Sequence, residues 1–250
     1  MSFVCSPNLP CGRVTLAAVS AGAVHMISWL KQHGIKPIEL PDDVRLAGPV
    51  RSHADLLLHH LGGGNLIMAD TQSRTAQRLS AHGFSIQPMK RMLSAEYPGD
   101  VPLCALRMGD FLFAKLSTLD SAVETWCRKQ KIQLIDCAQG YARCSGLILS
   151  KKAAVTADPS LARAMECAGI EVLKIRPGHI RLPGYSYGFL GGCCGLIAPD
   201  TLVCNGSLNT HPDGERIAAF AFRHGVRIIS VHPEELTDIG GILPLEDDLI

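Results

Sequence analysis

The chain has 250 residues, 47% of them hydrophobic and 19% charged, with a net charge of +1. That balance excludes a disordered chain, and without a block of like charges it excludes the basic footprint of a nucleic-acid or membrane-surface binder. Its apolar runs stop short of the roughly 20 residues a membrane span needs. The stretch Met1 to Pro7 lacks the charged start and apolar core of a secretory signal, so the expected location is the cytoplasm.

In chain order, Arg13 to Val19 reads as a strand, Gly22 to Gln32 as a helix and Ile35 to Leu40 as a second strand. A fuller unit then repeats. Asp55 to His60 and Asn65 to Ala69 flank the turn Leu61 to Gly64 as a hairpin, followed by a helix-like stretch ending at His82. The same order recurs at Leu103 to Arg107 with Phe111 to Lys115, at Ser145 to Leu149 with Ala153 to Thr156, and at Gly195 to Ile197 with Leu202 to Cys204. Ser117-Thr118-Leu119-Asp120 resembles a capping box. Asp158-Pro159 places an N-cap before a proline at the first helical position. His211-Pro212 reads as another proline start, with Asp213 in the first turn.

Each helix ends at a junction followed at once by a β-rich run. The junctions are Gly34, Gly83, Lys131, Gly169 and Gly225, with separations of 49, 48, 38 and 56. Glycine suits a left-handed helix C-cap, and the recurring spacing marks a repeat architecture. The first unit lacks one hairpin strand, while Gly241 to Leu245 is an apolar run with no helix after it. Pairing the two predicts a closed ring of five units in one domain, which also removes exposed sheet edges. The units span approximately 1–41 with 238–250, 50–90, 98–137, 140–176 and 188–232.

Of the ten cysteines, Cys104, Cys127, Cys137, Cys167 and Cys204 lie in apolar segments and read as buried reduced thiols. Cys193 and Cys194 admit a vicinal disulfide, but a reduced pair on a buried strand is the expectation. With no Cys-x-x-Cys pair, a structural zinc site is not expected, and no metal or cofactor is assigned.

A ring of five strand–strand–helix–strand units is similar to the pentein α/β-propeller of the guanidine-modifying enzymes. These include arginine and agmatine deiminases, dimethylarginine dimethylaminohydrolases and amidinotransferases. The stretches Ser52-His53-Ala54-Asp55, Gln139-Gly140-Tyr141-Ala142-Arg143-Cys144-Ser145, Arg181 to Gly192, and Asn209-Thr210-His211-Pro212-Asp213 resemble an uncharacterised bacterial family assigned to that fold. The resemblance implies pseudo-fivefold symmetry, a cysteine nucleophile near the C-terminus, a histidine in a middle unit and carboxylates that grip a guanidinium. This sequence departs from that pattern. No cysteine follows Cys204, the closing segment offers Gly240 and Gly241, and Gly140 and Tyr141 stand where the histidine is expected. Hydrolysis of arginine, agmatine or methylarginines by the usual route is therefore not expected. Asp55 and Asp100 fall where the gripping carboxylates would lie.

The catalytic candidates are Cys144, His53 and His211. Arg143 beside Cys144 would lower its pKa and make it the most reactive thiol. His53 and Asp55, two residues apart, would face one side of a strand as a base and its orienting acid, or as two metal ligands. Adjacent His59 and His60 would point apart, which argues against a three-ligand metal site. His211 is a poor N-cap and so is a candidate for another task. The ligand-binding candidates are Asp55, Asp100, Tyr141, Arg143, Tyr187 and Asp213. His33, His82 and His224, each directly before a junction glycine, suit the helix dipole. The insertion from Arg176 to Gly192 reads as a loop over the central opening. The expected function is binding of a small amidine, guanidine or amino-acid-like ligand in the central cleft. The alternatives are a non-catalytic interaction module resembling the pentein-fold ribosome anti-association factor, and a thiol-dependent hydrolase using Cys144. No nucleic-acid or membrane partner is expected, and the oligomeric state is left open.

Overall fold

In a computed structural model, residues 2–248 are described. The first part of the chain forms β1 (Ser2–Phe3), β2 (Arg13–Ser20), α1 (Val24–Gln32) and β3 (Lys36–Leu40). A second unit follows with α2 (Ala54–Leu57), β4 (Leu58–Gly62), β5 (Asn65–Met68), α3 (Ser73–Ala81) and β6 (Ser85–Pro88). The third comprises β7 (Leu106–Met108), β8 (Phe111–Ala114), α4 (Ser121–Lys129) and β9 (Gln133–Asp136). The fourth comprises α5 (Ala142–Ser145), β10 (Gly146–Ser150), β11 (Ala153–Thr156), α6 (Pro159–Cys167) and β12 (Glu171–Lys174). The fifth comprises α7 (Leu190–Cys193), β13 (Cys194–Ala198), β14 (Thr201–Cys204), α8 (Gly214–Arg223) and β15 (Arg227–Ser230), and the chain ends on β16 (Leu243–Asp248).

These strands make five small sheets. Four have three strands each, an antiparallel hairpin whose second strand pairs in parallel with the strand after the helix. The fifth has the order β1-β16-β2-β3. There β16 runs antiparallel to β2, with Leu243 opposite Ala18 and Asp247 opposite Val14. The C-terminal strand thus supplies the hairpin partner that the first unit lacks in sequence, and the short β1 covers its other edge. Between sheets, β10 lies against β7 and β13, and β13 lies against β2 and β16.

The five junctions share one backbone state. Gly34, Gly83, Gly169 and Gly225 have φ between 75° and 91°, and Lys131 reaches φ 59° without glycine's freedom. Each turns the chain from a helix into a strand that starts two residues later. The strands pack their buried faces into three apolar clusters, with the largest spanning the first three units from Leu16 to Cys127 and taking in Cys144, Leu182, Leu243 and Leu245.

Three local expectations change. Ser117 does not cap a helix: 116–118 is a 3-10 turn, and Asp120 is the N-cap of α4, accepting from the Ala122 N–H at 2.9 Å. Pro212 is not the first helical residue either; α8 begins at Gly214, and His211 Nδ1 accepts from the Asp213 N–H at 3.0 Å. His53 and Asp55 do not alternate along a strand, because His53 is the N-cap of α2 and Asp55 lies in its first turn. One turn of helix ahead of the hairpin re-aims side chains that an extended chain would have held on one face.

Candidate functional site

A common register places the central residues. The position two residues ahead of a unit's first hairpin strand is Leu56, Cys104, Cys144, Gly192 and, ahead of β16, Gly241. The position before it holds Asp55, Leu103, Arg143, Gly191 and Gly240. In three units this stretch is a four-residue helical turn, and α5 and α7 pack against each other. Equivalent positions therefore bring side chains from different units together.

Asp55, Cys104 and Cys144 meet there. The Cys144 thiol donates to Asp55 Oδ2 at 2.5 Å, the Cys104 thiol lies 3.8 Å from the same oxygen, and the two sulfurs are 3.9 Å apart. Asp55 Oδ1 is buried and has no partner. On the other side of Cys144 stand His53 and Asp238, with His53 Nδ1 3.8 Å from Asp238 Oδ1. Asp238 is 3% exposed. Its carboxylate is seated by backbone donors, the N–H of Phe189 at 2.8 Å and that of Gly240 at 3.0 Å.

Burial pushes the Asp55 carboxyl up to about 6. The Cys144 thiol is raised well above its ordinary value by its bond with Cys104, by burial and by the nearby Asp55. The expectation that Arg143 would lower it is overturned: Arg143 turns away, its guanidinium donating to Asn8 Oδ1, the Gly191 carbonyl and the Ile242 carbonyl. Cys5, Cys11 and Cys167 are the exposed thiols, Cys144 is buried, and Cys193 and Cys194 are both free.

His53, Cys144 and Asp238 open on a cavity of about 220 Å³ lined also by Val50, Leu56, Leu182, Ser186 and the rings of Tyr141, Tyr185, Tyr187 and Phe189. No lysine or arginine stands on this lining. The insertion ahead of α7 supplies Tyr185, Ser186, Tyr187 and Phe189, and so lies over the cavity as a binding loop would. Tyr187, 43% exposed, stands at its mouth. Tyr141 donates to Asp100, whose other oxygen is buried without a partner; Asp100 touches the cavity only through Tyr141. A larger neighbouring cavity of about 330 Å³ shares Tyr187 and Phe189 as its wall, but its charged groups, Asp158 and Arg176, are engaged elsewhere.

Of the candidates read from sequence, Cys144, His53, Tyr141 and Tyr187 line the cavity, and Asp55 lies behind Cys144. His211, Asp213 and Arg143 stand outside it. Asp213 is held by Arg176 at 3.1 Å and Arg216 at 2.8 Å, so its carboxyl is kept below the usual range by those hydrogen bonds. His211 packs edge-on against His179. Asp238 and Cys104 belong to the site and were not singled out in the sequence. The signal available for both was the register of the repeat, since Cys104 precedes β7 by the same interval as Cys144 precedes β10, and Asp238 precedes β16 by the same interval as His53 precedes β4. At Gly240 the closing segment has no room for a side chain: a Cβ there would come within 2.5 Å of His53 Cβ.

The five small sheets, each built from a hairpin and a helix-linked parallel strand, define a mixed α/β protein of the pentein type. The chain belongs to DUF6873, a family of unknown function, whose profile matches residues 19–243. No curated protein sequence matches it. Solved structures similar to it include the inosamine-phosphate amidinotransferase of Streptomyces griseus, at 11% identity and a TM-score of 0.62 over 98% of this chain and 97% of that one. An amidinotransferase of saxitoxin biosynthesis from Microseira wollei matches at 11% identity and a TM-score of 0.56 over 95% of both chains. The dimethylarginine dimethylaminohydrolase of Pseudomonas aeruginosa, in complex with citrulline, matches at 10% identity and 0.55 over 87% and 92%. At these identities the likeness is one of fold. Among the described residues, no helix is long and apolar enough to cross a membrane.

Proposed function

We propose that this chain binds a small planar cation, an amidine, guanidine or amino-acid-like amine, in the cavity above Cys144. The observation that carries this reading is Asp238: a buried carboxylate on an aromatic-walled cavity whose lining holds no lysine or arginine. A guanidinium or amidinium supplies paired donors for such a carboxylate, and the rings of Tyr141, Tyr185, Tyr187 and Phe189 favour a cation over their faces. The cavity is smaller than the roughly 300–1,000 Å³ typical of drug-sized ligands, which suits a compact cationic head. The pentein-type fold, shared with proteins named for amidino transfer and dimethylarginine hydrolysis, supports the same ligand class. We take the five units as one domain closed into a ring about this centre, a reading supported by the β16–β2 pairing and the contacts of β13 with β10, β2 and β16.

A second reading, thiol chemistry at Cys144, is favoured by the sulfur of Cys144, a ring nitrogen of His53 and an oxygen of Asp238 lying within 4.8 Å of one another. A cation bound at Asp238 would favour the thiolate, and His53 is placed to take the proton.

Thermal-shift titration with agmatine, arginine and guanidine tests the first reading, since a ligand of the folded state raises its stability. A concentration-dependent rise in Tm that Asp238→Asn weakens by about tenfold or more is expected. No shift with any cation, or a shift indifferent to Asp238→Asn, refutes it. Release of citrulline or amine, abolished by Cys144→Ser, would establish the thiol reading.

A further inference from the structure

We infer that Asp55, Cys104 and Cys144 form a binding site for a borderline-soft divalent ion of the Zn²⁺ type. The two sulfurs stand 3.9 Å apart. Two thiolates each about 2.3 Å from one tetrahedral ion are separated by about 3.8 Å, so the pair already spans one edge of the tetrahedron. Cys104 Sγ lies 3.8 Å from Asp55 Oδ2, close to the second edge, and the three ligand atoms all fall within 4.8 Å of one another. The third edge is short, because the Cys144 thiol now donates to that oxygen at 2.5 Å. Ionising the thiol removes the bond, and rotation of the carboxylate about its broad χ2 supplies the opening to about 3.5 Å that ligation needs.

A second, independent observation is Asp55 Oδ1, an oxygen of a side chain only 1% exposed that has no partner. Buried polar atoms are rarely left this way, and a carboxylate oxygen only accepts, so what Oδ1 lacks is a donor or a cation. Soft thiolate donors select a zinc-like ion over Mg²⁺ or Ca²⁺. Binding releases both thiol protons to solvent and leaves three protein ligands, the count of an open rather than a closed zinc site. The fourth position adjoins the cavity, because Cys144 belongs both to this triad and to the cavity floor. The spacing rule for zinc motifs passes over such a site, since the two thiols come from equivalent positions in successive units and not from one short motif.

The inference goes beyond the cation-binding reading and is separable from it, because Cys104 is not on the cavity lining. The probe is Co²⁺ titrated into reduced, metal-free protein, followed by Zn²⁺ in competition with a chromophoric chelator. One equivalent of Co²⁺ with a thiolate charge-transfer band, and release of about two protons per ion, is expected. Cys104→Ser should weaken Zn²⁺ binding about 100-fold or more, given that even outer-shell partners are worth about 10–100-fold. The same variant should keep the thermal shift with organic cations, and Cys194→Ala should keep the metal. A wild type with no stoichiometric band, or a band that survives Cys104→Ser at equal affinity, overturns the site. If Cys104→Ser fails to fold, X-ray absorption at the zinc edge of the wild type decides: two sulfur neighbours at about 2.3 Å sustain the site, and one or none overturns it.

Discussion

The turns α5 and α7 occupy the same place in successive units and pack against each other, yet one carries Arg143 and Cys144 where the other carries Gly191 and Gly192. The glycines are needed for space. A Cβ on Gly191 would lie 2.5 to 2.7 Å from the carbonyl oxygens of Gly146, Cys144 and Arg143. A Cβ on Gly192 would lie 2.0 Å from Asp238 Oδ1. The fourth unit contributes a thiol and the fifth yields room for that unit's backbone and for a carboxylate from the closing segment. Where five near-equivalent positions converge, functional groups can cluster only if some positions give up their side chains.

The most drastic way to break this arrangement is to remove residues from Thr237 onward. That deletes Asp238 together with β16, which is central in its sheet, and the buried Ile242, Leu243 and Leu245. At about 1.5–3 kcal/mol per buried aliphatic side chain, the loss is comparable with a whole domain's stability. The expected product shows no cooperative melting transition by circular dichroism; a retained transition would show that the first unit stands without its C-terminal strand.

Gly192→Ala attacks the comparison directly. Overpacking a site this close costs about 3 kcal/mol, or a Tm drop of roughly 6–12 °C for a chain of this size. Cation binding should fall with it, as Asp238 is displaced. By contrast Gly225→Ala meets nothing within 4 Å, and its φ of 75° alone costs about 1–2 kcal/mol. Equal effects of the two substitutions would remove crowding as the explanation for the glycine pair.

Asp55→Asn asks what the second unit's carboxylate does to stability. The folded pKa of about 6 lies above the unfolded value of 3.8, so Asp55 favours the folded state fully below pH 4 and loses that contribution as pH rises through 6. In metal-free protein the wild type should therefore lose roughly 3 kcal/mol relative to Asp55→Asn between pH 4 and 7. Parallel Tm–pH curves for the two proteins would refute the raised pKa. The smallest effect is on thiol labelling. With limiting iodoacetamide, Cys5, Cys11 and Cys167 should modify first and Cys144 should stay protected, because it is buried and its thiol is held protonated. Early modification of Cys144 would show the α5 turn opening to solvent.

The convergence of the site was only partly legible in the sequence. Cys144, His53 and Asp55 were readable as polar or nucleophilic residues at the heads of units. Cys104 read as a core thiol and Asp238 as part of a closing segment notable only for its missing cysteine. His211 and Asp213 drew attention through an unusual helix start, yet the same two residues serve the α8 turn and two arginines. A residue's type and its local turn do not reveal which way one turn of helix aims it.

What the sequence determined by itself was the repeat. Hairpin turns, helix starts and five left-handed junctions are set by neighbouring residues through backbone sterics and capping, so they can be read one segment at a time. Even the incomplete first unit announced its missing partner. The tertiary structure alone decided that Cys104, Cys144 and Asp55 meet, that Asp238 and His53 flank them, and that Arg143 turns away. The equivalent positions carry Leu56, Cys104, Cys144, Gly192 and Gly241, five settings with little chemistry in common. Their proximity follows from how the sheets pack against one another, and each side chain there is chosen by the space its neighbours leave.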